Sequence, residues 1–265
     1  PLFDSLTLSF GTVGTGGFGI LNSSIADYSP ALQIIITIFM ILSGVNYVAY
    51  FYLTTRQIKE IFHVEEIRVY FGVILAASIF IAFNIRSLYP TLGECFRHAF
   101  FQVGSIITTT GYATTDFDLW PEVSKTILVL LMIIGACAGS TGGGLKISRL
   151  LILCKSIPKQ LSLVIHPREI KVIKMDGKAI EHQVMRATNV YLAIYFFIIL
   201  GSTLFVSVDN FDFTTNFTAV VSALNNIGPG LAGVGPTRNF GAFSVFSKFV
   251  LMFDMLAGRL ELYPL

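Results

Sequence analysis

The sequence predicts an all-α membrane protein made of repeated units, in which spanning helices flank shorter half-helices that enter the bilayer and turn back. Three observations predict it. Of the 265 residues, 54% are apolar and only 13% charged, roughly half the charged share of a soluble domain. Five stretches read as spans, at 31–55, 69–85, 126–145, 187–208 and 242–262. Between them lie three apolar pieces too short to cross, each followed by a glycine-rich or threonine-rich turn.

Taken in chain order, LFDSLTLSF at 2–10 is the first short piece and leads into TVGTGGFG at 12–19. That turn has the dinucleotide spacing Gly14-x-Gly16-x-x-Gly19, a motif that needs a strand before it, a helix opening inside it and an acidic residue about 20 positions on. The following ILNSSIADYSP, broken by polar residues and Pro30, gives no such helix. Residues 31–55 carry no charge and form the clearest span, since about 20 apolar residues cross a hydrocarbon layer of about 30 Å. The span at 69–85 is short, and ECFRHAFFQVGSII at 94–107 is the second non-spanning piece.

The span at 126–145 dissolves into GACAGSTGGGLKIS. Gly139, Gly142, Gly143 and Gly144 each cost a helix about 1 kcal/mol relative to Ala, so a break is predicted over 135–146. Leu145 intervenes between Gly144 and Lys146, which rules out a Walker loop. The span at 187–208, the short piece DFTTNFTAVVSAL at 212–224 and the span at 242–262 complete the chain. The last span carries Lys248, Asp254 and Arg259; Lys248 and Asp254 are six apart, off the helical pair spacing, and acquire no role from the sequence.

Twelve of the 18 lysines and arginines fall in two segments. These are 54–68, with Arg56, Lys59 and Arg68, and 146–186, with Lys146, Arg149, Lys155, Lys159, Arg168, Lys171, Lys174, Lys178 and Arg186. The positive-inside bias places both in the cytoplasm, so the short helices and their turns open to the outer side. The net charge of +2 is too small to argue for nucleic acid. Cys95, Cys137 and Cys154 form no C-x-x-C pair and read as small apolar filler; His63, His98, His166 and His182 lack ligand spacing. With no Met, basic n-region or cleavage site at its start, the chain reads as beginning within a longer protein.

The three turns share a form. SFGTVGTGGFG, VGSIITTTGYA and SALNNIGPGLA each end a short helix with small or polar residues, a glycine and a ring-bearing residue, at Gly17-Phe18, Gly111-Tyr112 and Gly228-Pro229. Recurrence of this kind sets an architecture. A helix C-terminus carries partial negative charge, and glycine-permitted backbone can turn carbonyl oxygens inward to replace the water shell of a cation. An anion site would instead use helix N-termini. The bland alternative is three tight turns between buried helices.

TTTGYA is similar to the potassium-filter form Thr-Val-Gly-Tyr-Gly, and the chain resembles the Trk, Ktr and HKT superfamily of potassium translocators, most closely its bacterial TrkH branch. The resemblance rests on TVGTGGFG, TTTGYA, GSTGGGLKISR at 139–149, NNIGPG at 225–230 and GRLEL at 258–262. It implies repeated M1–P-loop–M2 units around a central ion pore, multi-pass in the bacterial inner membrane. The implied units are 1–62 (P and M2 of a second repeat), 63–160 (a third repeat with a broken M2) and 161–265 (cytoplasmic linker and fourth repeat). The first repeat and one M1 would be missing, which leaves the choice between Na⁺ and K⁺ open.

Residue by residue, the resemblance makes Gly17, Gly111 and Gly228 the central filter glycines. Gly14, Thr15 and Gly16, then Thr108, Thr109 and Thr110, then Asn225, Asn226 and Ile227 would supply further carbonyls to K⁺. It makes the loop with Gly139, Gly142, Gly143, Gly144 and Lys146 a gate beneath the filter. Arg259 either faces the pore as a barrier to cations or reaches to the cytoplasmic interface. The basic 146–186 segment is either topogenic or a docking face for a cytosolic nucleotide-binding ring. The resemblance also implies a homodimer in contact with lipid, K⁺ as the transported ion, and no nucleotide site in this chain. The rivals are a Na⁺-coupled cation transporter, a secondary transporter with broken helices, which come as inverted pairs, and an enzyme, for which the spans offer too few convergent acids and bases.

Overall fold

The computed structural model describes residues 2–166 and 172–260. Its elements in order are α1 (Leu2–Val13), α2 (Pro30–Ser43), α3 (Tyr47–Thr54), α4 (Ile58–His63), α5 (Glu65–Asn84), α6 (Leu92–Ile107), α7 (Glu122–Ile134), α8 (Ile147–Ile165), β1 (Lys174–Met175), β2 (Lys178–Ala179), α9 (His182–Val206), α10 (Phe213–Leu224) and α11 (Val245–Arg259). The two short strands pair antiparallel, Lys174 opposite Ala179. Their turn is Asp176-Gly177, both at positive φ, the geometry that a two-residue hairpin prefers.

The short helices start at side-chain caps. Thr91 accepts from the amide of Glu94 ahead of α6, and Asp212 from that of Thr215 ahead of α10. Such caps satisfy amides that a helix N-terminus otherwise leaves unpaired. The three half-helices α1, α6 and α10 thus occupy the places of the three non-spanning pieces. α6 is buried along most of its length, and α10 likewise from Thr215 onward.

The spans divide. α5 and α9 are continuous and long enough to cross. The clearest span of the sequence, 31–55, is not one helix: α2 and α3 are bent by 95° at the residues between them. Gly44 stands at the corner, where a Cβ would lie 2.3 Å from the Tyr70 hydroxyl, so no larger residue fits. Asn46 then caps a new helix by accepting from the amide of Val48 at 2.9 Å. Neither residue is charged, so an apolar-run criterion passes over both.

The span expected at 126–145 is α7 alone, ending at Ile134, with the predicted break over 135–146 following it. The basic segment 146–186 is correspondingly not a loop throughout. α8 runs from Ile147 to Ile165, across the division placed at 160/161. Lys146 and Arg149 are buried, and the Arg149 guanidinium sits 4.1 Å over the ring of Tyr191. Arg168 and Lys171 lie outside the described residues, as do the last two positions of the 242–262 span.

Large apolar side chains face outward as well as into the core. Phe80 and Phe83 of α5, Phe197 and Leu204 of α9 and Phe249 and Phe253 of α11 face outward, whereas Glu66, Gln102, Asn216 and Asp254 are buried. An apolar exterior around polar interior groups suits a helical protein in lipid, where backbone and polar groups find partners inside. Asp254 accepts from the Ser202 hydroxyl at 2.7 Å, and Lys248 donates to the carbonyl of Gly241 at 2.9 Å.

Candidate functional site

The turns after α1, α6 and α10 have one backbone in three copies. In the first, the amides of Gly14, Thr15, Gly16 and Gly17 donate back to the carbonyls of Phe10, Thr12, Gly11 and Gly11. In the second, Thr108, Thr109, Thr110 and Gly111 donate to Gly104, Ile106, Ser105 and Ser105. In the third, Asn225, Asn226 and Ile227 donate to Val221, Ala223 and Ser222. The donor-to-acceptor offsets match at every shared position.

The dihedral angles match as well. Thr15, Thr109 and Asn226 lie at φ 49°, 58° and 54°, and Gly17, Gly111 and Gly228 at 64°, 85° and 107°. Such alternation of left-handed and ordinary residues otherwise makes a nest of amides for an anion. Here the amides of residues 14–17, 108–111 and 225–227 are engaged by the half-helices and are not left for an anion.

The turns stand shoulder to shoulder. A Cβ on Gly17 would lie 1.7 Å from the carbonyl oxygen of Thr110, and one on Gly111 would lie 1.8 Å from that of Ile227. No side chain fits at either junction. At Gly228 the same position meets nothing within 4 Å. That open flank borders a cavity of about 780 Å³ lined by Gly14, Gly17, Asn226 and Gly228 and by Met255 and Arg259 of α11.

Side chains behind the turns hold them. The Tyr112 hydroxyl donates to the carbonyl of Phe18 at 3.1 Å, joining the first two turns, and Ser105 Oγ donates to the carbonyl of Tyr112 at 2.6 Å. The Thr108 and Thr110 hydroxyls pair at 2.8 Å. In the third turn the Tyr195 hydroxyl of α9 donates to Asn225 Oδ1 at 3.1 Å, and Asn226 Nδ2 donates to the carbonyl of Met255 at 3.0 Å.

The break at 135–146 lies against all three turns. The Thr141 hydroxyl reaches the carbonyls of Val13 at 3.2 Å and Ser43 at 3.3 Å, and the Gly143 amide donates to Thr109 Oγ1 at 2.7 Å. A Cβ on Gly143 would stand 2.4 Å from the carbonyl oxygen of Asn225. The α2–α3 corner grips the loop from the side, with Cys137 N bound to Gly44 O at 3.1 Å and Tyr47 N to Gly139 O at 3.0 Å. Lys146 Nζ donates to the carbonyl of Gly142.

Arg259 belongs to this assembly. Its Nη1 donates to the carbonyl of Thr141 at 3.1 Å, and it lines the cavity on the open flank of the turns. The residues that the resemblance assigned to the filter and the gate therefore lie in the three turns, in the loop against them or beside it. Sequence reasoning missed Tyr195, Glu66 and the Gly44 corner. A tyrosine or an acid at a span end has no motif, and only Gly44 with Asn46, a breaker and a capper in a charge-free run, offered a signal.

Comparison with known proteins gives a consistent picture. The family described as TrkH, cation transport protein, matches residues 1–265. The Trk system potassium uptake protein TrkH of Salmonella typhimurium is 34% identical over 269 residues, covering 100% of this chain and 55% of that protein. The Trk system potassium uptake protein TrkG of Escherichia coli is 31% identical over 268 residues, covering 100% and 55%. The crystal structure of the potassium transporter TrkH from Vibrio parahaemolyticus superposes with a TM-score of 0.90 at 31% identity, over 99% of this chain and 57% of that one. The chain thus spans about half the length of the relatives it matches.

Proposed function

Because this chain belongs to the TrkH family of cation transport proteins, we propose that it forms three of the four quadrants of a potassium-uptake pore in the inner membrane. The single observation that supports this most is the repeated backbone of the three turns, closed against one another at Gly17 and Gly111. Carbonyls of residues 14–17, 108–111 and 225–228 replace the hydration shell of K⁺. Neutral oxygens hold an ion firmly enough to admit it and weakly enough to let it leave.

The 135–146 loop is the gate. It fills the space below the turns, and the Arg259 guanidinium on its Thr141 carbonyl adds a positive charge in the path of a cation. The repeat units of this reading are 1–62, 63–165 and 166–265, the last boundary set at the end of α8. The cytoplasmic end of α8 and the adjoining hairpin carry Lys155, Lys159, Lys174 and Lys178, a basic face suited to a cytosolic nucleotide-binding ring. The whole protein acts as a homodimer.

Flux from proteoliposomes holding the full-length protein tests this, with K⁺, Rb⁺, Na⁺ and Li⁺ compared. Passage of K⁺ and Rb⁺ over Li⁺ is the expected result. Equal passage of large organic cations would exclude a narrow carbonyl ring. A Na⁺ preference would favour the Na⁺-transporting reading of the same fold.

A further inference from the structure

α8 starts without an acceptor of its own. Its N-cap position is Lys146, and no side chain caps the first turn from that position. The acceptor comes from another helix. Glu66, in the first turn of α5, is only 3% exposed, and its Oε1 accepts from the amide of Ser148 at 3.1 Å and from that of Ala138 at 2.7 Å. Its Oε2 faces Asn46 Nδ2 at 3.5 Å, the outer limit of a hydrogen bond.

One carboxylate therefore touches both ends of the 135–146 loop and the corner between α2 and α3. We propose that Glu66 is the positioning residue that latches this loop beneath the turns; the proposal rests on the reading of the loop as the gate. An anion at a helix N-terminus is favoured by the partial positive charge there. Hydrogen bonds to a carboxylate are stronger than neutral ones, and burial strengthens them further. Motion of α8 away from α5 stretches the bond to Ser148, and motion of the start of the loop stretches that to Ala138, so either end of the loop works against the same carboxylate. The neighbouring pair of Glu65 and Lys155 ties the same two helices further along α8, but it is partly exposed and so worth little.

The test uses the full-length protein in lipid nanodiscs and proteoliposomes, as wild type, Glu66→Ala and Glu66→Gln. Amide hydrogen exchange in peptides covering 136–150 is expected to rise about tenfold in Glu66→Ala, the effect of losing charge-assisted bonds to two amides. Glu66→Gln, which keeps one acceptor oxygen, is expected to rise less and carries the test if the alanine variant fails to fold. Peptides covering 104–112 and α9 should not change, and K⁺ leak should rise in the same order as exchange. Unchanged exchange over 136–150 overturns the latch, as does an equal rise in α9, which would mark Glu66 as a general stabiliser. Faster exchange over 136–150 with unchanged flux keeps the latch and rejects the loop as the gate.

Discussion

The turns that follow α1, α6 and α10 and the segments that come after them were built under different constraints. TVGTGG, TTTG and NNIG share few side chains yet adopt one set of dihedral angles and one pattern of amide bonds. The following helices share neither: α2 turns through 95° into α3, α7 stops and resumes as α8 after a loop, and α11 runs unbroken. Backbone conformation is what a ring of carbonyls requires, and many side chains permit it. The surrounding helices need only brace the turns, and each does so differently.

The sharpest way to break this contrast is at a junction between turns. Gly111→Ala places a methyl group where the Ile227 carbonyl oxygen stands, so K⁺ flux in the full-length protein is expected to fall on the order of 100-fold, as for misplacing reacting groups by about 1 Å. Gly228→Ala meets no neighbour among the described residues, although φ of +107° strains it. An equally large loss there would show that a further turn fills that flank. A small one would show it stays open.

Gly143→Ala tests the other side of the contrast. The methyl group meets the Asn225 carbonyl and pushes the loop off the turns, so basal K⁺ flux should rise about tenfold, a shift of about 1.4 kcal/mol between closed and open. The ratio of K⁺ to Na⁺ flux should hold, because the turns are untouched; a changed ratio would mean the methyl group had moved the Asn225 carbonyl instead. Arg259→Ala removes one charge and one bond to the same loop. Single-channel conductance should rise about threefold, the size of a modest electrostatic barrier, whereas lost expression at unchanged conductance would make Arg259 an anchor.

The smallest effect concerns how a half-helix is held at its outer end. Asp212 caps α10, and the Thr215 hydroxyl on its carboxylate holds its pKa below the ordinary value. Asp212→Ala is expected to cost about 1 kcal/mol, the usual loss for such a cap. Since the folded pKa is the lower one, that advantage is complete above about pH 4 and fades as pH falls through the folded value. Thermal unfolding of both proteins between pH 3 and 7 checks it: a gap that does not narrow on acidification would remove Asp212 from this role.

How much of this could be read in advance follows the same contrast. The turns were legible because glycine and small polar residues record a backbone requirement directly, and the positions at 17, 111 and 228 align in structure as they do in sequence. The break over 135–146 was legible for the same reason. The corner at Gly44 was not, since hydropathy responds to charge and the demand for glycine there comes from Tyr70, 26 residues away. That Arg149, counted with the basic segment, is buried was not legible, because its burial depends on the ring of Tyr191, 42 residues away. Glu66 was invisible because its partners are main-chain amides, which leave no trace in composition.

α8 has a mechanical meaning. Its 19 residues make a rod of roughly 28 Å at 1.5 Å per residue, one end under the carbonyl turns and the other at the basic hairpin. A tilt of about 10° about the near end sweeps the far end through roughly 5 Å on that length. Pro158 interrupts the rod, and the hydrogen bond it removes makes the outer third compliant. Leverage is therefore best applied between Ile147 and Ile157, and a pull beyond Pro158 is partly lost in bending.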